Sequence, residues 1–140
     1  MPRTIALVAC VAVKAPTPCQ AKDLYISPWF VKASAYAEKV ADAWFILSAK
    51  YGLLGPHEII APYNETLNRM PAAARRAWAA QVLEDLKAVV VKPGDRIVML
   101  AGKRYREHLV DPLQAYGCLV EIPMEGLRIG RQLQWLNQHL

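Results

Sequence analysis

Hydrophobic residues run without interruption at Thr4-Ile5-Ala6-Leu7-Val8-Ala9-Cys10, with no polar alternation. A strand covered on both faces has this pattern, so the segment reads as a central strand. A loop holding Pro16 and Pro18 follows. From Pro28 to Val40 the apolar residues Trp29, Phe30, Ala33, Tyr36, Ala37 and Val40 recur at helical spacing, and Pro28 suits a first helical turn. Ala43-Trp44-Phe45-Ile46-Leu47 is a second strand, which completes a βαβ unit. Between Ala49 and Met70 no period is sustained, and Gly52, Gly55, Pro56, Pro62 and Asn64 interrupt any long element. Pro71 opens a helix predicted over Ala72 to Val90. Ile97 to Ala101 is a third buried strand, Lys103 to Tyr116 a helix, Cys118 to Ile122 a fourth strand, and Ile129 to Leu140 a closing helix with Ile129, Leu133, Leu136 and Leu140 on one stripe.

This alternation predicts an α/β domain of three layers, α/β/α, around a mostly parallel sheet of about four strands joined by right-handed crossovers. Residues 1–140 are read as one such domain, since no repeat or linker divides them. In open sheets of this kind the ligand crevice lies outside the carboxyl ends of the strands. Three strands are followed there by lysines: Lys14 after the first, Lys50 after the second and Lys103 after the third. The expectation is one site built from three segments, for an anionic ligand.

Composition changes the picture only modestly. A net charge of +5, from 17 Lys+Arg against 12 Asp+Glu, favours phosphate-bearing partners, and the 54% hydrophobic content is that of a packed domain. The three cysteines have no paired spacing and the three histidines are dispersed, so neither a disulfide framework nor a metal site is expected. No run approaches the ~20 apolar residues of a membrane span and no leader is evident, so a cytoplasmic setting without membrane contact is expected. The glycines form neither a dinucleotide fingerprint nor a P-loop, and no cofactor is expected.

Candidate chemistry sits on the loops. Cys10 lies four positions before Lys14, and an ammonium beside a thiol favours the thiolate. Asp23 follows in the same connection, and Glu58 lies in a proline-rich loop where burial would suit it to acid or base work. These four are the catalytic candidates. Ser48, Lys50 and Tyr51 offer a hydroxyl, a cation and an aromatic face for a phosphate with an adjoining base. Tyr63, on the far side of the long loop, is expected to turn toward Lys14 and Lys50. Gly102 permits close backbone approach, and Lys103 and Tyr105 follow it. Arg104 and Arg106 are read as facing water, with Tyr105 favoured as the site residue.

The motifs Cys10-x3-Lys14, Asp23-Leu24-Tyr25, Phe45 to Leu54, Pro62-Tyr63 and Leu100-Ala101-Gly102-x2-Tyr105 together resemble an uncharacterised bacterial and phage domain family related to YaaA-like proteins. The resemblance runs from about Thr4 to Leu136. It implies a fold similar to uracil-DNA-glycosylase-like proteins and, from the link of YaaA-like proteins to peroxide stress and DNA binding, a partner that is a nucleotide, a nucleobase or nucleic acid. The Cys-x3-Lys element is similar to one in archaeosine synthase, which acts on a modified base in transfer RNA. Two functions follow as expectations: an enzyme directed at a nucleotide or nucleobase, acting on a modified base or a glycosidic bond, and a non-catalytic nucleic-acid-binding module linked to stress or phage DNA modification.

Overall fold

The computed structural model describes residues 2–9 and 14–140. Its central sheet has five strands. β1 (Thr4–Ala9) is flanked by β3 (Ala43–Ser48) and β6 (Arg96–Leu100), both parallel to it. β6 pairs in parallel with β7 (Leu119–Glu121), and β3 pairs with β4 (Gly52–Leu54) antiparallel, giving the order β4-β3-β1-β6-β7. Ile5, Ala6, Leu7 and Val8 are fully buried, as their unbroken apolar run requires.

Helix α2 (Pro28–Val40) begins at Ser27, whose hydroxyl accepts from the Phe30 amide, and it packs on β1, β3 and the closing helix α6 (Ile129–His139). Helix α3 (Ala72–Val89) packs on β4. The chain moves outward from β1 to β3 through α2 and returns across β1 to β6 through α3. Right-handed connections made in opposite directions place these helices on opposite faces, which is the three-layer arrangement.

Three departures from the sequence expectation have local causes. β4 emerges from the supposedly structureless loop because Gly52 adopts φ +71 after a three-residue turn, letting the chain fold back so that Ser48 opposes Gly52. The same loop holds β5 (Ile59–Ile60), which pairs with β2 (Cys19–Gln20), and a 3-10 turn at Leu67–Arg69. The helix predicted from Lys103 to Tyr116 is two: α4 (Lys103–Arg106) and α5 (Val110–Ala115). Pro112 has no amide to bond the carbonyl of His108, so the helix restarts with the proline in its first turn. A further short helix, α1 (Ala21–Leu24), follows β2. Among the described residues no helix is long and apolar enough to cross a membrane.

A buried carboxylate helps to hold the amino edge of the sheet. Asp95, 4% exposed, accepts from the Arg3 amide at 3.0 Å and the Lys92 amide at 2.9 Å, tying the start of β1 to the loop that enters β6. Hydrogen bonding from the Arg3 amide, foremost, keeps its pKa below the ordinary aspartate value. A depressed carboxylate contributes stability that is complete above its unfolded value, about 3.9, and drains away as pH falls from there through the lower native value. Asp95→Asn is expected to lower the unfolding free energy by about 1–3 kcal/mol at neutral pH, because a buried backbone donor loses its acceptor. Urea titrations of both proteins at pH 7 and pH 3 check this: the gap between them should shrink at the lower pH.

Candidate functional site

At the carboxyl end of β3 the side chains converge through hydroxyls. Ser48 Oγ donates to the Tyr63 hydroxyl at 2.7 Å, and the Tyr63 and Tyr25 hydroxyls share a hydrogen bond at 2.6 Å. The Tyr51 amide donates to Ser48 Oγ at 3.0 Å, closing the turn that leads to β4. Three chain segments, ending β3, following α1 and following β5, are thereby joined in the interior. Ser48 is wholly buried, and Tyr25 and Tyr63 nearly so.

Two lysines lie over this aromatic group. Lys14 Nζ is 4.6 Å from the Tyr63 ring centre and 5.9 Å from that of Tyr25, positioned by its backbone bridge to Tyr25. Lys50 Nζ is 5.4 Å from the ring centre of Tyr51. Tyr51 in turn meets Tyr63 edge-on at 5.5 Å. Aromatic faces attract ammonium groups electrostatically, so the rings hold both cations at the rim without neutralising them. Lys50 and Tyr51 are exposed, whereas Lys14 is half-buried.

The remaining sequence-derived candidates are distributed differently from expectation. Tyr63 turns toward Lys14, and its other neighbour is the Tyr51 ring rather than the expected Lys50; it is buried, whereas Tyr51 is exposed. Ser48 spends its hydroxyl on Tyr63 and Tyr51, so it supports the site from within. Asp23 is turned to the surface, its side chain 60% exposed and 3.6 Å from Lys22 Nζ. Glu58 is also exposed and bends back onto its own loop, where its carboxylate accepts from the Gly55 amide at 2.5 Å. Glu58 thus lacks the burial on which its acid or base role was expected to rest. Cys10 lies outside the described residues.

On the other side of β1, the end of β6 opens into a hollow of about 220 Å³ walled by Trp29, Met99 and Met124, with Gly102, Lys103 and Arg106 at its edge. Arg106 donates to the Ala101 carbonyl at 3.0 Å, and its second terminal nitrogen lies 3.7 Å from a Glu125 carboxylate oxygen. The expectation that Arg106 faces water is thus corrected, and so is the preference for Tyr105. Tyr105 is buried; its hydroxyl accepts from the Leu67 amide at 3.4 Å and its ring meets Trp78 edge-on. Trp78, which sequence reasoning passed over as a helix residue, donates its indole N–H to the Ser48 carbonyl at 2.8 Å. Of the residues expected around one concavity, Lys14, Ser48 and Lys50 gather at the end of β3, Gly102 lines the hollow at the end of β6, Tyr105 is buried with its ring against Trp78, and Cys10 lies outside the described residues.

A larger groove, about 720 Å³, lies at the opposite, amino edge beside Arg3, Lys87 and Lys92. Two of its side chains hold the edge together: Arg3 donates to the Val90 carbonyl at 2.6 Å, and Asp95 takes the two amides described above. Among the described residues no group of three histidine, cysteine or acidic side chains is placed to hold a metal ion. The thiol of Cys118 is buried, and burial raises its pKa.

Removing the middle hydroxyl tests the bracing role. Tyr63→Phe is expected to cost about 1–3 kcal/mol of stability, since it removes the buried hydrogen bonds to Ser48 and Tyr25, while Tyr51→Ala at the exposed ring has the smaller effect. Urea unfolding of the two variants measures the contrast, and a larger loss at Tyr51 would contradict it.

Comparison with known proteins places the chain among relatives. It is similar to the uncharacterised protein YfjM of Bacillus subtilis strain 168, at 31% identity, over 86% of this chain and 80% of the relative. Residues 5–138 match the model of a family of unknown function, DUF6884. That match takes in β1, the carboxyl-edge loops and nearly all of α6, and the chain belongs to this family.

Proposed function

We propose that this protein is an enzyme directed at a nucleotide or nucleobase, acting on a modified base or a glycosidic bond in nucleic acid or in a free nucleotide. The observation that carries the reading is the pairing of each rim lysine with an aromatic ring at the carboxyl edge: Lys14 over Tyr63 and Lys50 over Tyr51. The strand order reverses direction at β1, which is where ligands of open α/β sheets bind. In this reading Lys14 and Lys50 hold a phosphate, Tyr51 lies against a base, and Cys10, directly after β1 in sequence, is the candidate nucleophile. The likeness of the motifs to those of YaaA-like proteins, with their uracil-DNA-glycosylase-like fold, supports it, and a cytoplasmic setting accompanies it.

The second reading, a nucleic-acid-binding module without catalysis, draws on the net charge of +5. Salt separates the two. A module held by phosphate contacts loses affinity steeply and independently of base identity as salt rises, whereas a built site saturates with a free nucleotide.

Lys50→Ala is expected to weaken nucleotide binding roughly tenfold or more, because a hydrogen bond to a charged group is worth about 1.5–3 kcal/mol. Lys92→Ala, at the amino edge, is the matched control. Calorimetric titration of nucleoside mono- and triphosphates into the three proteins reads the result, and equal losses in both variants would replace the site with diffuse electrostatics.

A further inference from the structure

Two cations line the hollow at the end of β6, and neither is spent on a firm ion pair. Lys103 is exposed and forms no ion pair among the described residues. Arg106, its side chain 18% exposed, is set in place by the Ala101 carbonyl, which accepts from one terminal nitrogen at 3.0 Å. A guanidinium carries its N–H donors in a rigid fork, so one fixed bond orients the others. The second terminal nitrogen lies 3.7 Å from Glu125, beyond hydrogen-bond length, and that carboxylate is 64% exposed. So loose a pair at the surface is worth little and is readily displaced.

A pre-oriented guanidinium beside a lysine suits the oxygens of a phosphate group. At about 220 Å³ the hollow falls below the ~300–1,000 Å³ of sites that enclose a drug-sized ligand, so it admits one such group and leaves the rest of the ligand outside. Register fixes where that remainder lies. Ala9 of β1 is opposite Leu47 of β3, and Val8 is opposite Leu100 of β6, so β3 and β6 end at nearly the same level on either side of β1. With about 4.8 Å between neighbouring strands, their ends stand roughly 10 Å apart. Phosphates joined through a single oxygen fall short of that span. Phosphates on opposite sides of a sugar, met by long basic side chains, are the better match.

We infer that this hollow is a second phosphate subsite, and that the ligand is a nucleoside phosphorylated on both sides of its sugar, one phosphate at Lys14 and Lys50 and the other at Lys103 and Arg106. The inference rests on the nucleotide reading above and deepens it. Glu125 competes with the second phosphate for the same guanidinium. Removing its charge therefore strengthens binding, the reverse of what the loss of a supporting contact does.

The test compares nucleoside 5′-monophosphates with nucleoside 3′,5′-bisphosphates of adenosine, guanosine, cytidine and uridine, titrated by calorimetry into the full chain at one ionic strength. At least one bisphosphate should bind tenfold or more tighter than its monophosphate. Lys103→Met, at an exposed position, should abolish that advantage, and Glu125→Gln should increase it at least threefold, while neither changes monophosphate binding. Lys50→Ala should weaken both ligands. A bisphosphate that binds no tighter, or an advantage indifferent to Lys103→Met and Glu125→Gln, overturns the subsite; monophosphate binding that still depends on Lys50 then spares the nucleotide reading. Equal losses in Lys103→Met and Lys92→Ala also overturn the subsite, leaving diffuse electrostatics. An advantage that follows Lys103 and Glu125 with no effect of Lys50→Ala overturns the lysine rim instead, and no binding of either ligand overturns both. A trinucleotide separates the sources of this chemistry: binding that depends on Lys103 assigns the subsite to a residue within a strand, and exclusion of the trinucleotide assigns it to a free bisphosphate.

Discussion

The buried hydroxyl chain from Ser48 through Tyr63 to Tyr25 is the interaction on which the carboxyl edge depends. Polar groups removed from water are stable only when each finds a partner, and here the partners come from three distant segments. The chain therefore settles where the loops lie as well as how strongly they are held. Lys14 reaches the rim because its strand-like bridge to Tyr25 follows the Tyr25 side chain into place, and Tyr51 reaches it because its own amide closes on Ser48. Trp78 carries the same constraint to α3 by binding the Ser48 carbonyl.

How much of this was legible in the sequence depends on where each element takes its instructions. β1 was readable because burial on both faces leaves an unbroken apolar run, and α2 because a proline start and a helical stripe agree. β2, β4 and β5 were not, since strands of two or three residues are defined by their partners and leave no period of their own. The division between α4 and α5 turned on one missing amide at Pro112, which a predominantly helical composition concealed.

The site was legible at the level of backbone and obscure at the level of side chains. Lys14, Lys50 and Gly102 follow strands, and topology alone places them at one edge. Whether a hydroxyl meets a ligand or a neighbour is decided by packing, so Ser48, Tyr63 and Tyr105 looked like ligand groups and proved to be internal braces. Arg106 erred in the opposite direction: only the return of the 122–127 loop over α4 turns a surface arginine into a wall. Gln132 and Trp29, more than 100 positions apart, became partners through the packing of α6 on α2.

The amino edge has the opposite character. Gly94 and Gly117 adopt positive φ angles there, and a side-chain carbon at Gly117 would come within 3.1 Å of Pro93. The Gly94 amide bonds the Gly117 carbonyl and the Asp95 carboxylate clasps two further amides, so that end of the sheet is fixed by tight backbone turns and a carboxylate that binds them. Its counterpart is built from side chains, each supplied by a separate loop. The two ends can thus vary independently: a carboxyl-edge loop can change by itself, while the turns at the other end preserve the relative placement of the strands.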